Sequence, residues 1–265
     1  MTAEETELLK KVRRGDPAAM EALLSRYEKD VYRFGLRMCG SEEAAREVLQ
    51  QTLLAAFQNL KRFRGDAKIS TWLYQIARSF CSKSHRPGSE AAVPLESPEA
   101  MSVPAGEATP EEGARARELG LALSAAIQAL PISQREVLIL RDVEGLSAEE
   151  AAAVLGIQVA NLKTRLHRAR AELRKHLAAL LEPAGAPCEN LPHDLMDFVS
   201  EDIDQAACEK IEEHLASCPR CAGACDALKR TVSLCRSIPG DEVPAPVRAA
   251  VRSALRITGP RTSLG

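Results

Sequence analysis

Between residues 87 and 113 the chain carries five prolines and six acidic residues, with no basic residue and no apolar period. Such a stretch cannot bury enough apolar surface to offset the entropy of ordering it, and it is predicted to be a disordered acidic tether. A single core running through all 265 residues is thereby excluded. The charge is distributed around the same break. Residues 1–86 hold 16 basic and 11 acidic side chains, and residues 115–182 hold ten and eight. Residues 183–265 hold nine and twelve, so the formal net charge of −2 hides two basic blocks separated by an acidic strip. That pattern suits two surfaces for a polyanion on one flexible connection.

Aromatic residues make up only 3% of the chain and helix formers dominate, so the expected fold class is all-α. No apolar run approaches the roughly 20 residues of a membrane span. Glu4, Glu5 and Glu7 do not fit a secretory leader. The expected location is the cytoplasm, with no membrane partner. There is no Gly-rich phosphate loop, nucleophile elbow or His-Glu-x-x-His pattern, so neither an enzyme nor a small-molecule substrate is expected.

Apolar residues at helical steps run from Leu8 and Val12 through Met20, Leu23, Leu24, Tyr27, Val31 and Phe34, broken at Gly15-Asp16-Pro17. Asp16 is a suitable N-cap and Pro17 a suitable first helical residue. Ser41 opens a helix towards Leu60. Another starts near Ser70 on the stripe Trp72, Leu73, Ile76, Ala77 and Phe80, after a basic loop from Lys61 to Lys68. Beyond the tether, helices are predicted at Ala114–Leu130 and Ser133–Val143, the second ended by Gly145.

Ser147 and Glu150 form a capping box that starts a short helix. Ala152, Gly156 and Leu162 then have helix-turn-helix spacing: a small residue where helices touch, a glycine for positive φ, and an aliphatic lock. The second helix carries Lys163, Arg165, Arg168, Arg170, Arg174 and Lys175 against a lone Glu172, over a buried stripe of Leu162, Leu166, Ala169 and Leu173. A basic helix with a clean apolar stripe is suited to lie in a major groove along phosphates.

Six of the eight cysteines fall between Cys188 and Cys235. In a reducing compartment such a cluster reads as metal-binding or redox-active, not as a disulfide framework. His214 and Cys218 are one helical turn apart, and Cys218-Pro-Arg-Cys221 supplies a third ligand of a tetrahedral site. The fourth is either Cys188 or Cys208. Cys208, Cys225 and Cys235 are surplus candidate ligands, and surplus thiolates suit exchangeable ions such as Cu(I), Cd(II) or Zn(II). Cys39 and Cys81, far from this cluster, read as core residues.

The block Phe63-Arg64-Gly65-Asp66 through Thr71-Trp72-Leu73-Tyr74-Gln75-Ile76-Ala77-Arg78 resembles region 2 of the extracytoplasmic-function (ECF) sigma factors of bacterial RNA polymerase. The run Leu155 to Arg170 resembles their region 4. Ser79-Phe80-Cys81 and the cysteine-rich tail make the chain similar to the CorE-like, metal-responsive subgroup. The resemblance implies two small helical sigma domains joined by a disordered linker, plus a small helical metal-binding domain. The boundaries are residues 5–86 for region 2, 87–113 for the linker, 114–182 for region 4, 186–238 for the cysteine-rich domain and 239–265 for a C-terminal tail. The implied partners are core RNA polymerase and promoter DNA.

By the same resemblance, the region 2 DNA contacts are Arg62, Arg64 and Lys68 in the loop and Trp72, Arg78 and Lys83 along the helix. Trp72 alone is equally suited to core packing. The polymerase surface is read at Glu47, Gln50, Gln51 and Leu53. Gln51 stands where relatives often have an acid, which alters the charge of that contact. In region 4, Ala160, Asn161, Lys163, Thr164, His167 and Arg168 occupy base-approaching positions, while Arg165, Arg170 and Arg174 suit phosphates. The zinc-binding anti-sigma pattern takes its fourth ligand well upstream, a place that Cys188 fills. Zinc is the implied ion, with copper or cadmium as effectors. Two rival readings stand beside this one: a metal-responsive helix-turn-helix regulator without polymerase, and a sigma factor whose zinc knuckle is only structural.

Overall fold

The computed structural model describes residues 2–65, 67–84, 110–177, 188, 195–237 and 242–258. The described residues form helices without strands, as the composition requires. The chain divides into two compact units, Met1–Ala100 with Gly240–Gly265, and Met101–Pro239.

In the first unit, α1 (Ala3–Arg13) starts on a Thr2–Glu5 capping box, and α2 (Pro17–Ser25) on Asp16, whose carboxylate accepts from the Ala18 and Ala19 amides. The apolar spacing runs on into α3 (Glu28–Cys39), but the helix breaks at Arg26-Tyr27. The pattern hides this break because both helices bury their apolar residues in one core. Tyr27 turns the chain there, with its hydroxyl donating to Glu5. Gly40, at φ 75°, ends α3, and Ser41 caps α4 (Glu42–Asn59). A side chain at Gly35 would meet Ala45 Cα at 3.2 Å, so glycine permits the close crossing of α3 and α4. A 3-10 turn (Leu60–Arg62) leads to α5 (Ile69–Ser84). Phe34, Leu49, Leu53, Leu60, Ile69 and Leu73 are the fully buried centre.

The second unit begins with α6 (Pro110–Ala129), four residues earlier than expected. The rest of the acidic tether lies outside the described residues. Next comes α7 (Ile132–Leu138), and the single helix expected to run through Val143 widens into a π turn at Ile139–Val143. That turn buries Arg141 and Asp142. Ser147 and Glu150 make the capping box of α8 (Ala148–Leu155), Gly156 ends it at φ 66°, and α9 (Val159–His176) follows. The C-terminal part of this unit is α10 (Leu195–Val199), α11 (Gln205–Ser217) and α12 (Pro219–Ser237). Its small core is Leu195, Ile211 and Cys225, flanked by Phe198, Val199, Ile203 and Leu215. This core does not stand apart from region 4, because α12 packs against the π turn.

The last helix, α13 (Ala245–Thr258), belongs to the first unit and packs against α4. The stretch read as a plain tail therefore contributes a helix, with Val243, Val247 and Val251 buried.

Candidate nucleic-acid interface and metal centre

The basic loop of the first unit is held from behind. Arg13 at the end of α1 donates to the carbonyls of Phe63 and Arg64, at 2.9 and 3.3 Å. Gly65 turns at φ 89°, and Arg62, Arg64 and Lys68 lie exposed along the loop. The Phe63 and Trp72 rings stack at 5.2 Å and 40°, so Trp72 stands half-buried as a packing partner beneath the loop. Arg78 is half-buried one and a half turns further along α5, and the side chain of Lys83 lies outside the described residues. On α4, Glu47 and Gln51 are exposed one turn apart and Gln50 is half-exposed, while Leu53 is sealed in the core. Leu53 can support that surface but not form it.

On α9 the side chains divide into two faces. Ala160, Asn161, Thr164, His167 and Arg168 form an exposed strip at steps of three and four. Arg165 flanks it, half-buried, with its Nε donating to Asn161 Oδ1 at 2.9 Å. Lys163 and Arg170, seven apart, share a different face. Lys163 Nζ donates to Asp197 Oδ2 and to the Asp202 carbonyl, both at 3.0 Å. Arg170 is 1% exposed, pairs with Asp142 at 2.8 and 2.5 Å, and donates to Ser200 Oγ at 2.9 Å. Its expected role as a phosphate clamp is corrected: it is a buried structural cation. Arg141 donates to the Leu146 carbonyl and to Asp202. Arg13, Arg141, Asp197, Ser200 and Asp202 had no local motif to reveal them, because their partners lie distant in sequence or in a segment read only for cysteines.

The metal-ligand candidates also separate. Cys188 Sγ, His214, Cys218 Sγ and Cys221 Sγ place one ligand atom each within 4.8 Å of one another. Cys188 Sγ stands 3.3 Å from His214 Nε2 and 3.3 Å from Cys221 Sγ. A tetrahedral zinc with bonds of about 2.3 Å needs sulfurs roughly 3.8 Å apart, so three thiols and one imidazole fit the ion with a slight expansion. Local structure makes the site: His214 sits in the last turn of α11, Cys218 is its C-cap, and Pro219 starts α12 so that Cys221 falls in its first turn. The Cys218 thiol is lowered, first by hydrogen bonding to the Cys221 backbone, which favours the thiolate that a metal takes.

The surplus cysteines are elsewhere. Cys225 belongs to the small core, where burial pushes its thiol up. Cys235 is fully buried on α12. Cys208 lies on α11 beside Glu212, and desolvation followed by that carboxylate raises its thiol. None of the three joins the four-residue cluster, which corrects their reading as further ligands. Cys39 and Cys81 meet in the first unit's core, Sγ to Sγ 3.0 Å.

Residues 23–88 match the family Sigma-70 region 2, and residues 120–173 match Sigma-70, region 4. The ECF RNA polymerase sigma factor SigW of Bacillus subtilis (strain 168) is 30% identical over 179 residues, 65% of this chain and 96% of that protein. The chain belongs to the ECF RNA polymerase sigma factors. The ECF sigma factor SigE of Mycolicibacterium smegmatis is 33% identical over 169 residues, which is 62% of this chain and 65% of that protein. The solved structure of CnrH in complex with the cytosolic domain of CnrY aligns over 67% of this chain and 99% of that one, with 24% identity and a TM-score of 0.49.

This sigma factor is thus a non-enzymatic transcription initiation factor, and the partners of such a factor are core RNA polymerase and promoter DNA. No described helix is long and apolar enough to cross a membrane. The four-donor cluster lies outside both family matches.

Proposed function

We propose that this ECF sigma factor initiates transcription in the cytoplasm under the control of a metal ion held by Cys188, His214, Cys218 and Cys221, in the manner of the CorE-like subgroup. The carrying observation is that Cys188 and His214 of this donor set bracket the segment whose Asp197 is hydrogen-bonded to α9. In this reading the region 2 loop with Arg62, Arg64 and Lys68, and the α5 face with Arg78 and Lys83, follow the downstream promoter element. The exposed α9 strip Ala160, Asn161, Thr164, His167 and Arg168 reads the upstream element, with Arg165 and Arg174 at its edges. Glu47, Gln50 and Gln51 on α4 meet the polymerase. Zinc fits the donor set, and copper or cadmium are the effectors to test against it. A metal can shift the factor between states only by binding them with different affinity.

The test is run-off transcription with core RNA polymerase under copper in both oxidation states, cadmium and zinc. It compares the full chain, a Cys-to-Ser series and a truncation at Pro183. Loss of the metal response in Cys218→Ser, Cys221→Ser and the truncation is expected. A truncated factor that still responds to metal would place the sensor elsewhere. A factor that binds zinc yet transcribes alike with and without it would make the cluster purely structural.

A further inference from the structure

Three features of the second unit have no part in the sigma factor's known work: the acids Asp197 and Asp202, the strained turn between them, and the placement of that turn inside the loop that the metal site closes. Asp197 and the Asp202 carbonyl together hold Lys163 on the flank of α9, and the Asp202 carboxylate holds Arg141. Ser200 between them accepts from Arg170. The turn is folded tightly, with the Glu201 amide on the Phe198 carbonyl and the Asp202 amide on the Asp197 carbonyl. Glu201 adopts φ 57°, a left-handed conformation that a residue with a side chain keeps only when its surroundings hold it.

We infer that residues 197–202 are a metal-tied latch that occupies Lys163, the cation bordering the α9 strip, in place of a DNA phosphate. This rests on reading α9 as the promoter-reading helix and the four-donor cluster as a metal site. The chemistry of the two occupants is alike: a carboxylate and a backbone carbonyl offer Lys163 the oxygen acceptors that a phosphate would. A duplex entering along the exposed strip would also meet Asp197 beside it, and like charge repels.

The tie follows from the chain path. Cys188 precedes α10 and His214 lies near the end of α11, 26 residues on, so an ion joining them closes a loop that contains the whole latch. Closing that loop reduces the freedom the turn would otherwise regain on release. The core beneath it is small, consisting of Leu195, Ile211 and Cys225 with four partly buried neighbours. Without the ion, that core and the polar contacts to Lys163, Arg141 and Arg170 must hold a strained turn. Tetrahedral metal therefore keeps the latch shut, and its loss or replacement by an ion of different geometry frees Lys163.

The experiment uses the full chain and a fluorescein-labelled 30-base-pair DNA duplex of mixed sequence, with binding followed by anisotropy from 50 to 200 mM salt. Zinc content is measured in parallel. Each phosphate engaged adds about 0.9 to the slope of log K against log salt. Removing zinc with a chelator is expected to steepen the slope by about one phosphate. Zinc-loaded Asp197→Asn and Asp197→Ala should behave like the metal-free parent. The second keeps the test open if asparagine still holds Lys163. Lys163→Gln should show the same shallow slope with and without zinc. Asp197 and Lys163 are both partly exposed, so all three variants are expected to fold, which circular dichroism checks. Stoichiometric zinc with an unchanged slope in the parent and both Asp197 variants would overturn the latch while leaving the metal reading standing. Failure to take up zinc would overturn the metal reading, and the latch with it.

Discussion

The two C-terminal pieces of the chain attach by different physics. Helix α13 and the residues just before it pack on the first unit through Val243, Val247 and Val251, with the ion pairs Arg248–Glu28 at 3.6 Å and Arg252–Glu21 at 3.9 Å around them. The α10–α12 segment instead sets charged groups into its contact with region 4: Lys163–Asp197, Arg141–Asp202 and Arg170–Ser200. Apolar burial is nearly indifferent to salt and to metal. Charged contacts lose their water on forming and regain it on release, so they sit closer to balance and respond to a modest perturbation. A segment that must let go is better held by the second kind of contact.

The largest expected effect comes from the metal. Structural zinc sites contribute about 10–16 kcal/mol of apparent binding energy in small zinc-finger peptides, and on the proposed reading the ion would support a very small core. Cys221→Ser should therefore abolish zinc uptake and expose the amides of α10 and α11 to hydrogen exchange, with α13 as protected as before. Equal loosening of both segments would erase the contrast between them.

Next comes the charge buried beneath the latch. Asp142→Asn removes the carboxylate that pairs with buried Arg170 through two hydrogen bonds and should destabilise region 4 by about 3–5 kcal/mol, read from denaturant unfolding of the second unit. If stability is unchanged, the Asp142 carboxylate is not what supports Arg170.

The apolar attachment should be weaker than that but separable. Val247→Ala with Val251→Ala is expected to cost about 2–4 kcal/mol, seen as faster exchange in α13, with zinc stoichiometry unaltered. A change in zinc binding would mean that the two segments act together.

The smallest effect is ionic. Raising salt from 0.1 to 1 M shortens the Debye length from about 10 to about 3 Å. The half-exposed Lys163–Asp197 pair should weaken by no more than about 1 kcal/mol, visible as a slight rise in exchange around residues 197–202. Exchange in α13 should stay constant. A larger response there would assign its attachment to Arg248 and Arg252 instead of the valines.

Much of this was legible residue by residue. Asp16, Ser41, Ser147 with Glu150, and Gly156 mark their helix ends because caps and positive-φ turns act over three or four residues. His214, Cys218 and Cys221 were legible for the same reason: their spacing on a helix end and turn is local geometry. The fourth member of the cluster was not, since Cys188 and Cys208 are both available by spacing and only chain folding brings Cys188 to His214. Nor could Cys225 be told from a ligand by spacing, because a small buried thiol and a coordinating one look alike in sequence.

What the sequence determined by itself was the all-α class, the two sigma regions and three of the four clustered Cys and His donors. All of these rest on composition and on patterns a few residues long. The tertiary structure decided which cations are open to DNA. Arg168 and Arg170 are two residues apart on one helix, yet one is exposed and the other is sealed against Asp142. It also decided that a C-terminal tail is a docked helix, and that Lys163 faces two aspartates of the cysteine-rich segment. The reason is electrostatic: a side chain's charge is a property of the residue, but its availability depends on partners 28 or 34 positions away. Those distances are set by packing, which no local pattern encodes.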